Sequence, residues 1–232
     1  MDYLYLAFLL TFVFTLVVQM RVSSTFKKFA HVYAGNGRTG SQVARRILDA
    51  HGLFYVRIER VRGHLTDHYD PTARVLRLSD SVYDGASPSA VGVAAHEVGH
   101  AIQHAEEYAP IKWRAKLVPV VNFASRFSWL AIILGVLVMY ASALLGSYMI
   151  AVGIVLFAAT TLFHLVTLPC EFNASRRALA ELELSGWYNN RELGMSKRVL
   201  RAAAMTYVAA LAVSLMQLLR LVLIVSGNSR RR

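Results

Sequence analysis

Four apolar runs constrain this chain more than anything else in its sequence: Tyr3 to Met20, Phe127 to Leu145, Ser147 to Leu168 and Ala202 to Val225. Each is close to the roughly 20 apolar residues that a helix needs to cross a bilayer. Inside lipid every backbone N–H and C=O must find a partner within the chain, so such runs fold as helices. Their weight shows in a composition that is 56% hydrophobic, against about 45–50% for ordinary soluble domains. The first run lacks a basic leading segment and a small-residue cleavage site, and reads as a retained anchor. The second and third meet at Leu145, Gly146 and Ser147, a connection short enough to predict an antiparallel hairpin. The fourth carries Arg220 near its end, placed to snorkel toward the headgroups.

The net charge of +11 is spread between these runs instead of being gathered with stacking aromatics on one surface, which argues against a nucleic-acid partner. Only Asp2 precedes the first run, while Arg21, Lys27, Lys28 and Arg38 follow it; Arg176, Arg177, Arg191, Lys197 and Arg198 follow the third. The positive-inside rule puts both segments on the cytoplasmic side. The basic tail "SRRR" departs from that rule, since a complete fourth crossing takes it to the other face. Cys170 stands alone, so an internal disulfide is excluded.

Between the first run and the hairpin lies a polar region. "TGSQVARRILDAHG" predicts a helix capped by Thr39 or Ser41, with Val43, Ile47 and Leu48 as its apolar stripe and Gly52 as its stop. "FYVRIERV" and "RVLRLS" alternate as strands and are expected to pair as a long-looped hairpin. "SPSAVGVAAHEVGHAIQHAEE" starts a helix with Ser87 as cap and Pro88 at its first position, running to about Glu107. The expected organisation is an anchor over 1–20, a cytoplasmic catalytic region over 21–110 and an interfacial segment over 111–126. A transmembrane hairpin over 127–168, a ligand region over 169–201 and a membrane helix with basic tail over 202–232 complete it. The fold class is therefore mainly α and integral to the membrane, with a small β-hairpin and about four transmembrane helices.

Within the capped helix, His96 and His100 are four residues apart, so both rings project from one face and can reach a single Zn2+. Glu97 is turned about 100° from them, where it can take a proton from water. This is the His-Glu-x-x-His pattern of zinc-dependent proteases, a zincin-like catalytic helix. A catalytic zinc needs one more protein ligand. Glu106 and His104 lie farther along the helix, whereas Glu171 follows the third run, and two crossings return the chain to the face it left. Pro169 suggests a new helix start with Glu171 in its first turn.

In the order "LTDHYDP", "AAHEVGHAIQH", "LVTLPCEFNASRRAL" and "AAAMTYVAA", the chain resembles the YugP-like family of bacterial membrane zinc metallopeptidases, relatives of the heat-shock and prenyl-protein gluzincin proteases. The resemblance implies a zinc endopeptidase of the bacterial cytoplasmic membrane, facing the cytoplasm, with Glu171 of the "EFNAS" box as third ligand. Its partners are then the lipid bilayer and a protein or peptide substrate. Where wider relatives carry an Asp that orients a zinc-bound His, this chain has Ser175, so Asp67 or Asp70 is expected to fill that role. "HLTDHYDP" suits a turn, and also offers His68 or Tyr69 to stabilise the oxyanion. Arg176 and Arg177 suit interfacial anchors or site residues, and His164 an interhelical hydrogen bond. An extended substrate is expected to add a strand beside "RVLRLS". The rival reading is a metal-stabilised membrane scaffold without turnover.

Overall fold

A computed structural model of the chain describes residues 2–34 and 37–229; the basic tail at 230–232 lies outside them. It is mainly helical, with one small three-stranded sheet. Four helices are long and apolar enough to cross a membrane: α1 (Asp2–Ala30), α5 (Ala109–Val138), α6 (Ala143–Leu184) and α7 (Asn190–Ser229). Leu6, Leu10, Leu137 and Val155 point outward, each more than half exposed. Large apolar side chains left uncovered on helices of this length and hydropathy fit a lipid-facing side. The chain is a membrane protein of the fold class its sequence predicts.

The residues divide into two compact units, one formed by 2–16, 112–168 and 207–229, the other by 17–111 and 169–206. In the first unit α5 and α6 pack through glycines. A Cβ added at Gly153 would lie 2.8 Å from the Ser128 carbonyl oxygen, and one at Gly135 would lie 2.9 Å from that of Gly146. Small residues permit this approach of backbones in membrane helix pairs. Gly146 is thus a packing residue inside α6, and the connection falls earlier than expected, at Met139 to Ser142. Thr161 and Ser214 join α6 to α7 by a 2.6 Å hydroxyl contact. Arg220 stacks over Tyr5 and Phe8, 4.3 and 5.4 Å from their ring centres.

In the second unit α2 (Gly40–Ala50) is capped by Thr39, whose hydroxyl accepts from the Gln42 amide while the Gln42 side chain accepts from the Thr39 amide. Val43, Ile47 and Leu48 are buried as the stripe predicts, and Gly52 takes φ +70° at the helix end. The sheet holds β1 (Arg57–Val61), β2 (His68–Asp70) and β3 (Val75–Ser79) in the order β1-β3-β2. The hairpin in it joins β2 and β3, with His68 opposite Arg77. The two strands expected to form it, β1 and β3, lie side by side but parallel. The reason is local. Asp70 accepts from the Thr72 and Ala73 amides, folding the chain back so that β2 occupies the antiparallel edge of β3. Both edges of β3 are therefore paired, and "RVLRLS" offers none to a substrate strand; the open edges belong to β1 and β2. Leu48, Leu76, Leu78, Val82, Val91 and Val98 are fully buried and pack this sheet, α2, α3 (Asp80–Tyr83) and α4 (Pro88–Ala105) into one core.

Candidate metal centre

Helix α4 begins as its sequence requires: the Ser87 hydroxyl accepts from the Ala90 amide, and Pro88 occupies the first turn, where its missing N–H costs nothing. Val91, Ala94, Ala95, Val98 and Ala101 are buried. A helix enclosed on most sides needs such small side chains, and this one carries the histidines into the interior. The His96 and His100 rings stand one turn apart, their centres 4.8 Å from each other at 82°.

Gly99 brings the third donor to them. A Cβ at that position would lie 2.7 Å from the Ala174 carbonyl oxygen and 3.1 Å from its Cα, so α4 and α6 touch backbone to backbone there. Glu171, three residues before Ala174 on α6, is thereby turned into the space below the rings and is 1% exposed. Its Oε2 lies 3.2 Å from His96 Nε2 and 3.5 Å from His100 Nε2. One donor atom from each of His96, His100 and Glu171 falls within a 4.8 Å span, a grouping consistent with a single metal ion. Pro169 does not start a helix. It sits inside an uninterrupted α6. The missing N–H forfeits one ladder bond, which neighbouring helices make tolerable in membrane helices.

The far sides of both rings are held. Ser175 Oγ meets His96 Nδ1 at 3.1 Å. Gln103, fully buried, gives its Nε2 to the Cys170 carbonyl at 2.8 Å and to Asn173 Oδ1 at 2.9 Å, which leaves its Oε1 3.0 Å from His100 Nδ1. A carbonyl oxygen only accepts, so Nδ1 of His100 carries a proton and a neutral ring keeps its lone pair on Nε2, facing Glu171. Asn173 is fixed in turn because its Oδ1 accepts from Arg177 Nε at 2.8 Å, and Arg177 is anchored on Glu106 at 2.6 Å. Sequence reasoning missed Gln103 and Asn173.

Other residues singled out by the sequence fall elsewhere. Asp67 accepts from the Ser79 amide at 2.7 Å and from its hydroxyl; Asp70 holds the β2–β3 turn and pairs with Arg77 at 3.0 Å. Neither orients His96, a task that falls to Ser175. Glu106 is committed to Arg177, whose hydrogen bond holds its carboxyl below the usual range. His104 Nδ1 meets the Tyr69 hydroxyl at 3.0 Å. Exposed His68 faces the Thr66 carbonyl and Arg77. His164 forms an edge contact with Phe163, and no hydrogen bond of its side chain occurs among the described residues. Arg176 lines a cavity of about 550 Å³ between α6 and α7 that Ser175 also borders. Glu97, beside His96 in sequence, is nearly buried. Burial pushes its carboxyl above the usual range, against the opposing pull of the two imidazoles. Burial also pushes the Tyr69 phenol up to about 12; like any tyrosine, it is protonated at neutral pH.

Residues 4–226 match the model of a family described as "Putative neutral zinc metallopeptidase". The chain belongs to this family. It is also 53% identical, over 207 residues that make up 89% of each chain, to the "Putative membrane protease YugP" of Bacillus subtilis (strain 168). No solved structure matches. Membership implies Zn2+ as cofactor, and the donor set fits it: two imidazoles and a carboxylate converge, with the outer nitrogen of each ring occupied.

Proposed function

We propose that the chain is a membrane-embedded zinc endopeptidase that cleaves membrane-associated or unfolded protein segments at the cytoplasmic face of a bacterial membrane. In this reading His96, His100 and Glu171 hold the zinc. The observation that carries it is the convergence of these three donors from two helices beside a buried carboxyl, Glu97, that is not needed to hold a metal. Zinc bound there supplies a Lewis acid that acidifies water and polarises a peptide carbonyl.

The chain's own groups do the rest. Glu97 accepts the proton of the attacking water and returns it to the leaving amine. Gln103 and Ser175 keep the rings turned so that Nε2 of each faces the centre. The β2 segment supplies the donor to the developing oxyanion, His68 or Tyr69. Tyr69 reaches α4 through His104, so Tyr69→Phe is expected to lower turnover more than His68→Ala. The unit formed by 17–111 and 169–206 supports a catalytic part built from 21–110 and 169–201. Arg21, Lys27 and Lys28 after the first run favour the cytoplasmic side for it.

The test is cleavage of an unfolded reporter protein by the full chain in sealed vesicles. Inverted vesicles are expected to cleave added reporter, right-side-out vesicles to leave it intact, and a chelator to stop cleavage until Zn2+ is returned. Cleavage indifferent to chelation removes the zinc reading; cleavage by right-side-out vesicles alone reverses the orientation.

A further inference from the structure

Away from the metal centre, α1 and α7 face each other with two basic stripes. Arg21 and Lys28 lie seven residues apart on α1, Arg198 and Arg201 three apart on α7, spacings that put each pair on one helix face. All four line a cavity of about 460 Å³ whose remaining wall includes Phe29 and Met205. No acidic side chain lines it, and none of the four pairs with a carboxylate among the described residues. Their neighbours elsewhere in this unit behave differently: Arg45, Arg60, Arg77 and Arg177 are each matched to an Asp or Glu. Arg21 directly follows the first apolar run, and Arg201 directly precedes the fourth. The cavity is thus formed where two membrane helices leave the apolar layer.

We propose that this cavity binds the headgroup of an anionic phospholipid carrying two phosphate charges. Four unneutralised cations suit more than one phosphate. A volume of about 460 Å³, against about 30 Å³ per water, far exceeds one inorganic phosphate. Exposed Met205 gives the glycerol and upper acyl carbons an apolar contact, which a free ion does not use. Basic pockets at the ends of membrane helices recognise lipid headgroups in this way.

The test is native mass spectrometry of the full chain in neutral detergent, titrated separately with diphosphatidylglycerol, phosphatidylglycerol, phosphatidylcholine and inorganic phosphate. One diphosphatidylglycerol per chain is expected to bind in preference to the other three. The pair Arg21→Gln and Arg198→Gln is expected to weaken that binding about 30-fold, the pair Arg21→Lys and Arg198→Lys to retain it. Removing the same charge at exposed Arg46 and Arg62, both to Gln, should leave it unchanged. Equal binding of phosphatidylglycerol or phosphatidylcholine, or displacement by inorganic phosphate, overturns the proposal. So does an equal loss in the Arg46 and Arg62 pair or in the lysine pair.

Discussion

Glu97→Gln is expected to lower peptide cleavage by roughly 10²–10⁴-fold while leaving one zinc bound per chain. The substitution keeps the size and the hydrogen-bonding shape of a side chain that is nearly buried, so the packing of α4 is preserved. What it removes is the ability to accept a proton. Because Glu97 lies one residue from His96 and is not among the three grouped donors, the centre itself is expected to survive. Metal content and cleavage measured on the same preparation separate the possibilities. Zinc kept with cleavage lost supports a proton-transfer role, and unchanged cleavage removes Glu97 from the reaction. If the wild type holds zinc and no substrate is cleaved by either form, the metal-stabilised scaffold becomes the better account.

The second large effect is expected at a residue with no side chain. Gly99→Ala puts a Cβ 2.7 Å from the Ala174 carbonyl oxygen, and the obstructing atoms are backbone, so α4 and α6 must separate. Overpacking of this kind costs about 1–3 kcal/mol. The separation also acts on function, since Glu171 is carried by α6 and the imidazoles by α4. A displacement of about 1 Å in a catalytic arrangement can cost 10²-fold in rate. The expected outcome is a lower melting temperature together with weaker zinc binding and a loss of cleavage of at least about 10²-fold. A variant that melts like the wild type and binds zinc as tightly contradicts the backbone contact.

The membrane helices, the Ser87 cap and the His-Glu-x-x-His face were legible in the sequence because each is a local pattern: a long apolar run, a cap followed by Pro, a four-residue spacing. Two misreadings have a shared cause. Gly146 and Pro169 ordinarily signal breaks, yet both lie inside α6, because helix packing in lipid uses glycine for close approach and tolerates a proline. The parallel pairing of β1 with β3 was hidden because alternation reveals a strand without revealing its partner. It was settled by the turn at Asp70.

In the centre itself, Glu171 was reached by counting crossings, whereas Gln103 was overlooked despite a signal: an uncharged polar residue one turn beyond His100 in a buried stretch. Asn173 carried no comparable mark, and Arg177 was marked only as an interfacial anchor or site residue, without its link to Asn173. Their roles depend on α6 passing α4 at Gly99, a contact between segments about 70 residues apart. Ser175 takes the place expected of Asp67 or Asp70 because those two are consumed by the ends of β3, one at Ser79 and the other at the β2–β3 turn.

Zinc per chain, measured by elemental analysis on the purified full-length protein and its Glu171→Ala and His104→Ala variants, bears most directly on the central claim. One zinc is expected in the wild type and in His104→Ala, and a large loss in Glu171→Ala. Full zinc retained without the Glu171 carboxylate, or lost with the His104 ring, contradicts a centre built from His96, His100 and Glu171.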